Sequence, residues 1–300
     1  MNKELNTLLI TLYVFITDNV IPAYDPPVRR GRKQQLTDAE LLCLAVAQHL
    51  THGESSESKW VRYAQEHLRD MFPYIPQQSG YNKRIRAAFG LIQTTVVALT
   101  KDTDTWHEVL RFLDATPIPC GRSRQTAQRS GLAGHAGYGF TAAHREYFWG
   151  MRLVLISTPD GMPVIWGGLG NPKLGERAIT QTLLDGSRHL LHPGQVILGD
   201  KGFSGKAFEA FITHDLHATL LRPDRKDETP RFGNFGGVRQ WIESIFDTLK
   251  GQLGLEHHGA RTLQGLLAKI GAKLLAMAAG IWHNWKTGAP HKRSLIAYDH

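Results

Sequence analysis

Apolar residues recur at three- and four-residue intervals through the first third of the chain, and in short runs or alternation through the rest. The first pattern predicts helices and the second predicts strands. Residues 4–20 form an apolar helix, followed by a Pro-rich basic connection, IPAYDPPVRRGRKQQ (21–35). Thr37 and Glu40 precede AELLCLAVAQHL at the spacing of a capping box, in which each side chain satisfies an end-turn N–H near the other. A third helix is predicted over 58–71, stopping before Pro73, and a fourth from near Ser79 to about Leu99. Its first turns carry Lys83, Arg84 and Arg86.

Beyond residue 107 the period changes. EVLRFLDATPIP (108–119) reads as a strand running into Asp114, and the Gly-, Ser- and Arg-rich segment 120–139 as a long mobile loop. YFWGMRLVLIST (147–158) and MPVIWGGLG (162–170) make a hairpin about a Pro-Asp-Gly turn. A helix (RAITQTLLDGS), a strand (QVILGD, 195–200), a helix (GKAFEAFITH) and a strand (ATLLRP) follow. A polar loop at 224–237 then leads to the helix VRQWIESIFDTLKGQ. The expectation is an α/β fold, a mixed sheet flanked by helices after an all-helical region, with domains at 1–105 and 106–300. Two apolar stretches invite a membrane reading. Glu4, Asn6 and Asp18 interrupt the first, and in LQGLLAKIGAKLLAMAAGIW (263–282) Lys269 and Lys273 share one face of an amphipathic core helix. No membrane segment is expected.

Charge sharpens this division. Formal net charge is +8, yet residues 1–107 hold 12 Lys+Arg against 11 Asp+Glu, whereas 108–300 hold 23 against 16. A basic surface around acidic residues suits phosphate-backbone partners. The near-neutral first part leaves two readings open for its basic helix start: a helix-turn-helix-like DNA module, or a helical bundle with a solvated basic face. Cys43 and Cys120 are the only cysteines and lack Cys-x-x-Cys spacing, which excludes a disulfide scaffold and argues against a thiolate zinc site. A reducing, cytoplasmic setting fits. His257 and His258 lack a partner at ligand spacing and read as surface or DNA-backbone residues, and the seven tryptophans as mostly core.

Asp200, at the end of VILGD and followed by Lys-Gly, reads alone as ordinary turn chemistry. Other acids give it a second reading. If the strands bearing Asp114 and Asp200 are adjacent and parallel, both carboxylates emerge on one rim, where α/β sheets bind ligands. On the late helix Ile242, Ile245, Phe246 and Leu249 form the buried stripe, with Arg239, Glu243 and Lys250 grouped beside it. Glu243 alone reads as half of a surface Arg–Glu pair, but it also sits where a helix packed on the sheet could aim it at that rim. Three convergent carboxylates suit two Mg²⁺ ions acting on a phosphoryl transfer.

These motifs resemble the DDE-type insertion-sequence transposases: FLDATPIP about Asp114, ILGDKGF about Asp200, and R-x-x-x-E-x-x-x-x-x-x-K over Arg239, Glu243 and Lys250. The spacings of 86 and 43 residues between the acids also fit. LTDAELLCLAV, Phe72-Pro73 and GYNKRIR look like the branch numbered nine hundred and eighty-two. The resemblance implies a ribonuclease-H-like catalytic domain with Asp114, Asp200 and Glu243 as catalytic metal ligands. It implies two Mg²⁺ ions, which Mn²⁺ can replace, and DNA contacts at Arg239, Lys250, Lys201, Lys83, Arg84 and Arg86. The partners would be the terminal inverted repeats and target DNA, both double-stranded, with a homodimer formed on DNA. The family's tyrosine three positions before the Arg is Gly236 here, which leaves that contact without its residue. Two rivals stand beside this reading. One is a catalytically silent DNA-binding protein derived from a transposase. The other is a haloacid-dehalogenase-like phosphatase, which lacks its second acid because Thr116 holds that position.

Overall fold

The computed structural model describes residues 2–25, 34–51, 56–141, 146–225, 228–229, 231 and 235–298, without the side chains of 236, 238 and 239. Much of the Pro-rich connection, parts of the 224–237 loop and the side chain of Arg239 therefore lie outside the described residues. The chain divides into two compact units: residues 1–103 with 249–260 and 264–300, and residues 104–248 with 261–263.

The first unit begins with α1 (Lys3–Phe15), capped by Asn2 and continued by a π-helical turn over Ile16–Val20. Leu5, Leu8, Leu9 and Leu12 bury one stripe of it. α2 (Asp38–Thr51) starts at the predicted capping box: Thr37 N–H donates to Glu40 Oε2 at 2.5 Å, and Glu40 N–H to Thr37 Oγ1 at 3.2 Å. From Leu41 to Thr51 every residue of α2 is buried, which makes it the central helix of the unit. α3 (Glu57–His67) follows. The long fourth helix expected from sequence is two helices, α4 (Gln78–Ala87) and α5 (Phe89–Lys101), broken at Ala88, where ψ is 6°. Gly90 weakens the helix at this point, and the break buries Ala88 itself.

The second unit is built on a six-stranded sheet. β1 (Leu110–Gly121) leads to α6 (Arg124–Arg129), β2 (Gly137–Thr141), β3 (Glu146–Ser157) and β4 (Pro163–Gly170). α6 and β2 replace the mobile loop expected over 120–139: Ser123 caps α6, and β2 pairs with the start of β3. α7 (Glu176–Gly186), β5 (Val196–Leu198), α8 (Lys206–Ala210), β6 (Thr219–Leu221) and α9 (Gly236–Asp247) complete the unit. β1 lies antiparallel to β3, whose other edge takes β2 and β4. On its second edge β1 runs parallel to β5, and β5 parallel to β6. This mixed, helix-flanked sheet is ribonuclease-H-like. Its middle is apolar: Leu153, Val154, Leu155 and Ile156 of β3 are buried on both faces. α7 lies against β4, where Gly170 leaves room for Ile179; a Cβ there would come within 2.4 Å of that side chain.

α9 continues through a π-helical turn over Thr248–Gln252, and the chain then forms α10 (Leu263–Lys286) in the first unit. α10 is the core helix expected, but it is not two-sided. From Ile270 to Asn284 it is buried on every side, Lys273 included. The Lys273 ammonium donates to Leu253 O at 2.6 Å, and burial, with Lys269 nearby, pushes its pKa down to about 8. Lys3–Ala23 and Leu263–Lys286 are long and apolar enough to cross a membrane by length and composition, and 89% of the apolar window in the second is buried inside the protein.

Candidate active site

Asp114 is not at the end of its strand. β1 runs on to Gly121 because β3 pairs with it from Phe112 to Gly121. On the other edge β5 pairs only as far as Phe112↔Leu198. Beyond that level no strand among the described residues pairs with this edge of β1, and Pro117 and Pro119 are tolerated there without losing ladder hydrogen bonds. Asp114 stands just past the level where the parallel partner stops and Asp200 just past the end of that partner, so the two acids are level with each other on adjacent parallel strands.

Each aspartate is held by the backbone. Asp114 Oδ1 accepts from the N–H of Ala115 at 2.7 Å. Asp200 Oδ1 accepts from the N–H of Gly202 at 2.7 Å and caps the helical turn Lys201–Phe203. The turn reading and the site reading of Asp200 are thus compatible: one oxygen caps, while the residue stays exposed. Gly202 is required by close approach. A Cβ there would lie 2.7 Å from Glu176 Oε2 and 2.9 Å from Asp200 Oδ1, so these two carboxylates flank the same point. Arg177 anchors the following loop by donating to Ser204 O at 2.6 Å.

α9 approaches the sheet from one side. Ile242, Ile245 and Phe246 are buried as the helical stripe predicts, and the ring of Trp241 lies 6.4 Å from that of Phe112. Phe112 and Asp114 are two apart on β1 and share a face. α9 therefore packs on the face that carries Asp114, with Glu243 exposed two residues beyond Trp241. Among the described residues no three His, Cys, Asp or Glu side chains are grouped closely enough to hold a metal ion. Asp114 and Asp200 offer hard carboxylate oxygens, which suit a divalent cation such as Mg²⁺.

A cation of the protein's own is paired with the carboxylate that flanks Gly202 together with Asp200. Arg152 of β3 forms an ion pair with Glu176 at the start of α7. Burial holds its guanidinium pKa below the ordinary value, and Asp200 and then Asp114 offset this only in part. Neither Arg152 nor Glu176 was singled out from sequence. The available signal was a lone charge in the apolar run YFWGMRLVLIST.

The other expected contacts are scattered. Lys83 and Lys201 are exposed. Arg84 is engaged inside the first unit, donating to Leu36 O and pairing with Asp38 at 2.8 Å. Arg86 Nε donates to Asn82 O at 3.3 Å. Lys250 pairs with Glu256 at 3.1 Å. His258 is buried rather than superficial, its Nδ1 accepting from Ala260 N–H at 3.0 Å, while His257 is exposed.

No curated protein sequence matches the chain. Among solved structures it is similar to the cryo-EM structure of a piggyBac transposase synaptic complex with hairpin DNA. That similarity has 8% identity and a TM-score of 0.42, over 97% of this chain and 77% of the other. Residues 105–278, more than half of the chain, match the family model described as the transposase DDE domain. The match spans the strands of Asp114 and Asp200 and the helix of Glu243, and by it the protein belongs to the DDE transposases.

Proposed function

We propose that this transposase binds the ends of an insertion sequence and catalyses metal-dependent DNA strand cleavage and strand transfer, with Asp114, Asp200 and Glu243 as its catalytic acids. The observation that carries this reading is the level placement of Asp114 and Asp200 on adjacent parallel strands, with α9 packed on the face of Asp114. Asp114 and Asp200 would hold divalent metal, Mg²⁺ or Mn²⁺, and Glu243 would complete the set from α9. Divalent metal held there, two ions in this reading, would supply the Lewis-acid stabilisation that a phosphoryl transfer needs. Lys201, exposed beside Asp200, is a proposed DNA phosphate contact, as are Arg239 of α9 and Lys250 of the π-helical turn that follows it. Lys83 and Arg86 are the proposed phosphate contacts of the helical region, Arg84 being engaged with Asp38. Recognition of terminal inverted repeats by 1–105, a homodimer on DNA, action on chromosomal or plasmid DNA and membership of the branch numbered nine hundred and eighty-two belong to the same proposal. Family membership leaves the phosphatase alternative without support.

The test is cleavage of DNA carrying the element's own ends in Mg²⁺. Asp114→Asn, Asp200→Asn and Glu243→Gln should each lower the rate by roughly a thousandfold or more, and the losses should not add, because the three act as one unit. Near wild-type cleavage by any one variant would remove that residue from the site. DNA binding by the wild type without cleavage in either metal would favour the catalytically silent reading.

A further inference from the structure

We propose that Arg152 is the built-in counter-cation of the catalytic acids, a positioning residue that Glu176 holds in place and that balances Asp200 and Asp114 before a divalent ion does. The inference rests on the reading of the two aspartates as metal-holding residues. Three observations carry it. First, Glu176 Oε2 and Asp200 Oδ1 flank the same point beside Gly202, so two carboxylates approach each other closely with no room for a side chain between them. Like charges this close repel unless a cation is near. Second, the cation is there: Arg152 is ion-paired to Glu176, with side-chain exposures of only 16% and 25%, so solvent screens the pair weakly. Third, Arg152 has capacity to spare. Its Nε is buried and has no hydrogen-bond partner among the described residues.

The strand geometry fixes how Arg152 acts. It sits opposite Pro117, while Asp114 sits opposite Leu155. Paired residues share a face and neighbours alternate, so Arg152 lies on the α7 face and Asp114 on the α9 face. Arg152 therefore does not enter the side where Glu243 would join, and it acts on the acids from the Glu176 and Asp200 side. It is suited to steady the acids, and a divalent ion bound to them takes over part of its role.

Thermal melting and calorimetric Mg²⁺ titration of the full chain, without DNA, test this. Arg152→Gln should melt lower than wild type without metal. It should gain more from added Mg²⁺, with half-saturation at a roughly threefold to tenfold lower concentration, because a competing cation has gone. Asp200→Asn placed on Arg152→Gln should remove most of the melting difference, since the repulsion disappears with the charge. Arg152→Lys should retain near wild-type melting and Mg²⁺ response, and keeps the idea testable if Arg152→Gln does not fold. A lower melting point with an unchanged Mg²⁺ response, or a melting difference that persists in the Asp200→Asn background, would mean a purely structural arginine and overturn the proposal. Mg²⁺ binding unaffected by Asp114→Asn and Asp200→Asn would instead sink the metal reading. Relief of the Arg152→Gln defect by Asp200→Asn without metal would still support the charge balance.

Discussion

Single atoms decide how the acids are held. Gly202→Ala adds one methyl carbon where Glu176 Oε2 and Asp200 Oδ1 already crowd. Both oxygens must move, and the 2.7 Å cap on Gly202 N–H must lengthen. We expect this variant to lose at least tenfold in DNA cleavage, because displacements of about 1 Å at a reacting site can cost 100-fold, while its far-UV circular dichroism stays that of the wild type. Unchanged cleavage would show that Asp200 needs no such exact seat. A second residue-scale device lies after β6. Arg222 is almost fully buried and pairs with Glu209 at 2.7 Å and Glu228 at 2.6 Å. Its hydrogen bond holds the Glu228 carboxyl at about 2, well below its ordinary 4.5. A depressed carboxylate contributes stability above its unfolded pKa and loses it as pH falls through the folded one. The contribution of Glu228 is therefore present at pH 7 and lost between about 4.5 and about 2. Glu228→Gln should melt below wild type at pH 7, and the gap should close as pH falls through that window. A gap that does not depend on pH would mean that the charge of Glu228 contributes nothing.

At the scale of elements, the Arg84–Asp38 pair ties α4 to the first turn of α2, while Lys83, one residue away, is exposed. Arg84→Ala should cost about 1–3 kcal/mol of stability in a urea titration, the value of charged hydrogen bonds in a half-buried setting. Lys83→Ala should cost almost none and act on DNA affinity and its salt dependence alone. Equal stability of the two variants would make Arg84 a free phosphate contact after all. This pair also marks what sequence can reveal. The capping box of α2, the hairpin of β3 and β4, and the stripe of Ile242, Ile245 and Phe246 on α9 were legible because each depends on residues only a few positions apart. The length of β1 was not legible: it is set by β3, a partner that lies later in the chain and pairs as far as Gly121↔Trp149. Lys273 was misread for the same reason. Its place on a polar-looking face of α10 says nothing of Leu253 O, which accepts its hydrogen bond from 20 positions away. Asp114, Asp200 and Glu243 could be proposed because acids that follow short apolar runs, and one beside the apolar stripe of a helix, form a pattern. Arg152 and Glu176 could not, because a tertiary pair of opposite charges leaves no spacing to read.

At the scale of the whole molecule, the chain's two units are not two consecutive stretches. The first unit takes residues 1–103 and then 249–260 and 264–300. Within it, Trp282 Nε1 donates to Asp102 at 2.7 Å, Lys286 pairs with the same carboxylate at 2.9 Å, and Lys269 pairs with Glu57 at 3.5 Å. The ring of Phe15 at the end of α1 lies 5.0 Å from that of Trp282. An excised fragment of residues 1–105 keeps the apolar stripe of α1 and the all-round apolar surface of α2, but loses the buried length of α10 that belongs to the same core. Exposed helices of 10 to 14 residues have little stability of their own in water, since most helical stability comes from tertiary packing. The fragment should therefore show reduced helical circular dichroism and a broad, non-cooperative melt. Joining residues 1–103 to 249–300 by a short flexible linker restores the missing partner and should restore a cooperative transition. The comparison separates two ideas of how the protein is organised. A cooperative melt from residues 1–105 alone would make the amino-terminal helices a free-standing module. Recovery only in the linked chain would mean that the sequence encodes this unit from both ends, with the sheet of the second unit inserted between its parts in the sequence.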